Sequence, residues 1–138
     1  MLEERSAGAI LYRESLTGNL YLLLNYPSGH WDFVKGNIEK GEMLKETVIR
    51  EIEEETGITD VNFMEGFEDR VEYHYQRDGQ LVHKEVVFFL AKTRTENVKL
   101  SHEHHGFIWL DFNSALKKLT YKTAQNMLKK IKDLGFNT

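Results

Sequence analysis

A chain of 138 residues, 41% apolar and 12% aromatic, is long enough to bury one hydrophobic core and short for two, so one domain over residues 1–138 is expected. Its formal net charge of −4 offers duplex nucleic acid no broad attraction, and no apolar run approaches the roughly 20 residues that span a bilayer. Absence of cysteine excludes disulfides and thiolate metal sites, and "MLEERSAG" lacks a basic-then-apolar leader, so a cytoplasmic protein is expected.

In chain order, "SAGAILYRE" (6–14) and "LYLLLNY" (20–26) read as strands around the turn "SLTGN", and "YPSGH" reads as a loop. "WDFV" (31–34) is a short strand entering a glycine-bounded loop, 36–41. A helical pattern covers 43–56 and Gly57 supplies its stop. Residues 61–76 and 80–93 are strands flanking "RDG", a hairpin signal. A further strand covers 106–112. Asn113 or Ser114 then caps a short helix, and 121–134 puts Ala124, Met127, Leu128, Ile131 and Leu134 on one helical face. Strands with interspersed helices predict an α/β fold, a mixed sheet covered by helices.

The helix at 43–56 carries the chemistry. Residues 36–58 hold seven glutamates against three basic residues. At about 100° per residue, Leu44, Val48, Ile49 and Ile52 form an apolar stripe, and Glu51, Glu54 and Glu55 fall together beside it. Arg50 borders them, four residues before Glu54 and within pairing reach. A solvated amphipathic helix is the plain alternative. Against it, Glu51 and Glu55 are a like-charge i,i+4 pair, and Glu54 and Glu55 sit near the helix end that disfavours anions. Clustered carboxylates suit a hard divalent cation, and Mg²⁺ favours a few carboxylates plus waters and substrate phosphates.

Gly36, Glu42, Arg50, Glu51, Ile52, Glu54, Glu55, Gly57 and Ile58 fit G-x5-E-x7-R-E-U-x-E-E-x-G-U, where U is a bulky aliphatic residue. This resembles the Nudix box at every fixed position. The resemblance implies an α/β/α sandwich and Mg²⁺- or Mn²⁺-dependent hydrolysis of a nucleoside diphosphate linked to another group. It implies that Glu51, Glu54 and Glu55 include metal ligands and the base, with Gly36 offering its carbonyl and Arg50 orienting the carboxylates. Glu54 is adopted as the base.

"LSHEH" (100–104) followed by a Trp-containing strand, with "AGAILYR", "GHWDFVKG", "EGFEDRVEYHY" and "KEVVFFLA" in order, is similar to the asymmetric diadenosine tetraphosphate hydrolases within that family. On this resemblance Glu103 is a further metal ligand or alternative base, His30, Lys35 and Lys84 contact phosphate, and Tyr73 stacks on adenine. Phe136, outside that resemblance, is a further candidate to cover the base. The implied reaction is water attack on the polyphosphate of diadenosine tetraphosphate, releasing ATP and AMP. Removal of phosphates from RNA 5′ ends or nucleoside triphosphates is the alternative, and an inactive nucleotide-sensing module is a third reading. The histidines around Glu103 have the wrong spacing for a zinc motif of the H-E-x-x-H type and are read as solvated loop residues. Related sequences usually carry proline before the lysine of "KG" and often histidine after it. Val34 and Asn37 stand there instead, which points to a changed loop and the loss of a phosphate donor.

Overall fold

A computed structural model describes residues 1–136. The chain runs β1 (Leu2–Ser15), β2 (Gly18–Asn25), β3 (Trp31–Asp32), β4 (Val34–Asn37), α1 (Leu44–Thr56), β5 (Asn62–Arg77), β6 (Gln80–Lys92), β7 (Gly106–Leu110), α2 (Phe112–Lys118) and α3 (Lys122–Asp133). The strands form one mixed sheet in the order β3-β2-β1-β6-β5, with β4 also paired to β1 and β7 to β2. Among the described residues only β1 and β6 run parallel, over Leu2↔Val82 to Tyr12↔Lys92. The other edge of β1 is divided: β4 pairs along Ser6–Ala9 and β2 along Tyr12–Ser15. That division brings the glycine-bounded loop after β4 beside the start of β1.

The central strands read as nearly continuous apolar runs because both of their faces are covered. Ala7, Ala9, Leu11, Val87, Phe89 and Ala91 face α1 through Val48 and Ile52. Ile10, Tyr12, Val86, Phe88 and Leu90 face α2 and α3 through Ala115, Leu119, Ala124, Met127, Leu128 and Ile131. The result is an α/β/α sandwich. Full burial of each large aliphatic side chain contributes about 1.5–3 kcal/mol before entropy is charged against it.

Local chemistry sets the element ends. Gly57 takes the left-handed conformation at φ 75° and its N–H donates to the Glu53 carbonyl, ending α1. At its other end, the Glu46 carboxylate accepts from the Met43 N–H at 2.8 Å. Asp78 and Gly79, both at positive φ, make the β5–β6 hairpin turn. In β5 the pairing slips between Phe63 and Glu68, where Gly66 adopts φ 95°.

Four expectations shift. The strand expected at 31–34 is split into β3 and β4. Ile49 is exposed, while Thr47, Glu51 and Glu55 are buried with Val48 and Ile52, so α1 docks with its face turned toward the carboxylates. Asp111 caps α2, its carboxylate accepting from the Ser114 N–H at 2.8 Å, because the helix begins directly after β7, ahead of Asn113. Leu134 lies beyond α3 and is exposed. Among the described residues, no helix is long and apolar enough to cross a membrane.

Candidate active site

Arg50 organises the acidic side. Its guanidinium donates to Glu42 at 2.7 and 3.0 Å, to Glu51 at 2.8 Å, to Glu54 at 3.2 Å and to the Asn37 carbonyl at 2.9 Å. A planar fork of five donors suits this role, and a lysine would not reproduce it. Arg50, then the backbone N–H of Glu39 and the Thr47 hydroxyl, hold Glu42 down to a pKa of about 2. These carboxylates in turn push the Arg50 guanidinium up. One arginine thus ties the loop after β4 to the acid-bearing face of α1.

Glu51 lies against Gly36 of β4. A Cβ placed on residue 36 would stand 1.9 Å from the Glu51 Cδ, so the glycine is required by the close approach of this carboxylate. Burial is the main influence on Glu51 and raises its pKa; Arg50 opposes that rise, and Glu54 and Glu55 add to it. Glu55 is also buried, accepting from the Ser101 hydroxyl at 2.8 Å and paired with His104 Nε2. Glu54 is different, with 55% of its side chain exposed.

Sequence reasoning missed His104. Its side chain is only 6% exposed and its ring meets the Tyr26 ring edge-on at 4.6 Å. The cause is backbone pinning of the preceding loop: the N–H groups of Lys99, Ser101 and His105 donate to the carbonyls of Thr56, Glu55 and Asn25. His104 is therefore a buried partner of Glu55, a correction to the solvated reading; its Nδ1 is buried without a hydrogen-bond partner among the described residues. His102, Glu103 and His105 remain exposed.

Glu51, Glu54, Glu55 and Glu103, with Gly36, Lys35, Lys84 and Tyr73, line one cleft of about 680 Å³. This oxygen donor set fits a hard cation such as Mg²⁺ or Mn²⁺, and Gly36 leaves room for the Glu51 carboxylate. In the arrangement described, Arg50 and His104 engage the buried acids, and among the described residues no three acidic or imidazole groups converge in a metal-holding cluster.

Beside the cleft lies a largely apolar cavity of about 550 Å³, walled by Val71, Tyr73, Val86, Phe88, Tyr121, Ala124 and Met127, with Tyr26, His30, Asp32 and Lys35 at one side. Tyr26, Lys35 and Tyr73 line both spaces. His30 stacks on Tyr26 at 4.7 Å and 5°, and desolvation lowers its pKa. The Tyr26 hydroxyl donates to the Phe33 carbonyl at 2.6 Å, and burial pushes this phenol well above the usual range. Lys35 Nζ lies 3.1 Å from Asp32. Lys84, whose pKa is lowered chiefly by burial, reaches Asn37 at 3.0 Å and Glu4 at 3.6 Å.

The structure brings together every expected site residue except Phe136. That ring packs edge-on against Phe67 at 6.2 Å and lines neither space. Tyr121, ahead of α3 and half exposed, lines the apolar cavity instead. Sequence reading had no signal for Tyr121 or Met127 beyond helix-face periodicity.

The NUDIX domain profile matches residues 2–131. The asymmetrical bis(5′-nucleosyl)-tetraphosphatase of Caenorhabditis elegans is 32% identical over 130 residues, covering 91% of this chain and 92% of that protein. That of Mus musculus is 32% identical over 136 residues, covering 90% of each. A crystal structure of a C. elegans Ap4A hydrolase binary complex superposes with a TM-score of 0.82 at 31% identity, covering 95% of this chain and 96% of the other.

Proposed function

The chain belongs to the Nudix hydrolase family, and from that premise we propose that it cleaves diadenosine tetraphosphate asymmetrically into ATP and AMP. Nudix-type pyrophosphohydrolysis of nucleotide or dinucleotide substrates is the family's chemistry; the choice of dinucleotide is the proposal. One observation carries it. An apolar, aromatic cavity adjoins the acidic cleft along Tyr26, Lys35 and Tyr73, so a base in the first would direct its phosphates toward the second. The tetraphosphatases among the relatives support the same reading.

Tyr73 and Tyr121 offer faces to adenine, and base–aromatic stacking contributes about 1–3 kcal/mol per base. Lys35, Lys84 and His30 line the way along which the polyphosphate crosses. Glu51, Glu54, Glu55, Glu103 and the Gly36 carbonyl would hold Mg²⁺ or Mn²⁺, which when bound withdraws charge from a phosphoryl oxygen and acidifies a water. Arg50 fixes Glu51 and Glu54 in the free protein. Glu54, the most exposed of the α1 acids that line the cleft, accepts the proton of the attacking water. As the water oxygen bonds to phosphorus, a bridging P–O bond breaks, and its electrons leave with the departing nucleotide.

Chromatography of the products formed with Mg²⁺ tests this. Equal ATP and AMP are expected. Two ADP, no turnover, or preferred cleavage of a short triphosphorylated RNA in direct competition overturns the dinucleotide assignment.

A further inference from the structure

We infer that Asn37 is a positioning residue for Lys84: its side-chain carbonyl holds the lysine ammonium at the edge of the cleft where a polyphosphate passes. The inference rests on the reading of Lys84 as a phosphate contact.

Lys84 pairs with Glu4 across the parallel β1–β6 ladder, and its side chain is 12% exposed. Two acceptors compete for its Nζ. Asn37 Oδ1 lies at 3.0 Å and Glu4 Oε1 at 3.6 Å. The Glu4 carboxylate is itself held by the Tyr75 hydroxyl and Arg77, so it sits still beneath the ammonium. The Asn37 oxygen is equally fixed, since the buried Ser6 hydroxyl donates to it at 2.9 Å and Ser6 faces Asn37 in the β1–β4 register.

An ammonium has three donors. With one directed to Asn37 and one turned toward Glu4, the third remains for an anionic oxygen in the cleft. Removal of the Asn37 acceptor leaves the Glu4 carboxylate facing Lys84, and the attraction between opposite charges draws the lysine toward β1, away from the substrate's path. Asn37 holds a cation without adding negative charge where phosphate must enter.

The two ends of Asn37 serve different halves of the site. Its backbone carbonyl accepts from Arg50 at 2.9 Å, and that bond survives any ordinary side-chain substitution. A change confined to the side chain therefore reaches substrate binding through Lys84 and leaves the carboxylate cluster in place.

The test is a double-mutant cycle of Asn37→Ala and Lys84→Met. It is read by calorimetric binding of inorganic tripolyphosphate with Mg²⁺, which needs no turnover, and by kinetics on diadenosine tetraphosphate. Asn37→Ala is expected to weaken tripolyphosphate binding and raise KM by about three- to tenfold, with kcat changed by less than about twofold. In the Lys84→Met background, Asn37→Ala should add nothing. Full additivity, or unchanged binding in Asn37→Ala, overturns the inference. Unchanged binding in Lys84→Met alone removes lysine as the phosphate contact and the inference with it. Loss of dinucleotide turnover by the wild type, with the tripolyphosphate cycle intact, would instead strike only the substrate assignment.

Discussion

The acidic cleft and the apolar cavity share three residues and are built in opposite ways. The cleft is a lattice of charges: Arg50 alone bonds Glu42, Glu51, Glu54 and a backbone carbonyl, and a glycine leaves space for one carboxylate. The cavity holds its shape by packing, with Val86, Phe88 and Met127 continuous with the core below α3. Charge placement tolerates little error because its energy depends on a few contacts of about 3 Å. A packed wall spreads its energy over many weak contacts. On the proposed reading the first region acts on phosphorus and the second holds a flat ring, so a substrate with both parts would span the junction.

The largest effect should come from the cleft. Glu54→Gln keeps the shape and the Arg50 contact but removes the proposed proton acceptor, so kcat is expected to fall about 10²- to 10⁴-fold. Its melting temperature should stay close to that of the wild type, because Glu54 is exposed. A near-normal kcat would pass the role to Glu103, which lines the same cleft.

A smaller and different effect is expected from the cavity. Tyr73→Ala removes an aromatic face that is 41% exposed, so little folding energy is lost. KM for the dinucleotide should rise about 5- to 150-fold, the equivalent of 1–3 kcal/mol of stacking, with kcat little changed. Steady-state kinetics beside Glu54→Gln would show whether the two regions divide binding from chemistry. A fall in kcat equal to the fall in kcat/KM would erase that division.

The same contrast explains what the sequence disclosed. Helical periodicity converts spacing into geometry, so Arg50, Glu51, Glu54 and Glu55 were legible as a group, and the motif supplied Gly36. Cavity residues come from separate segments near 26–35, 71–73, 86–88 and 121–127, which meet only because β1 and β6 run parallel and α3 folds back over them. No local pattern encodes that meeting. His104 was misread because its burial depends on three backbone bonds from its loop to α1 and β2. Ile49 was misread because like-charged acids look solvent-facing, whereas Arg50, Ser101 and His104 give Glu51 and Glu55 partners inside.

The smallest expected effect isolates the electrostatic frame from the packed one. The pKa of Glu42 is held at about 2 in the folded chain against an ordinary value of 4.5, chiefly by Arg50. A depressed carboxylate pKa means that the unfolded chain binds the proton more readily. The stabilisation is therefore fully present above pH 4.5 and is lost as pH falls through about 2. Glu42→Gln should melt a few degrees below the wild type at pH 7, and the gap should close between pH 4.5 and 2 in melts followed by circular dichroism. Asp60, also held at about 2 by Thr95, Thr93 and the Arg94 N–H, is common to both proteins and cancels from the difference. A gap that stays constant down to pH 2 would mean that Glu42 supports the loop by shape alone, and the contrast between a charged frame and a packed one would fail at its anchor.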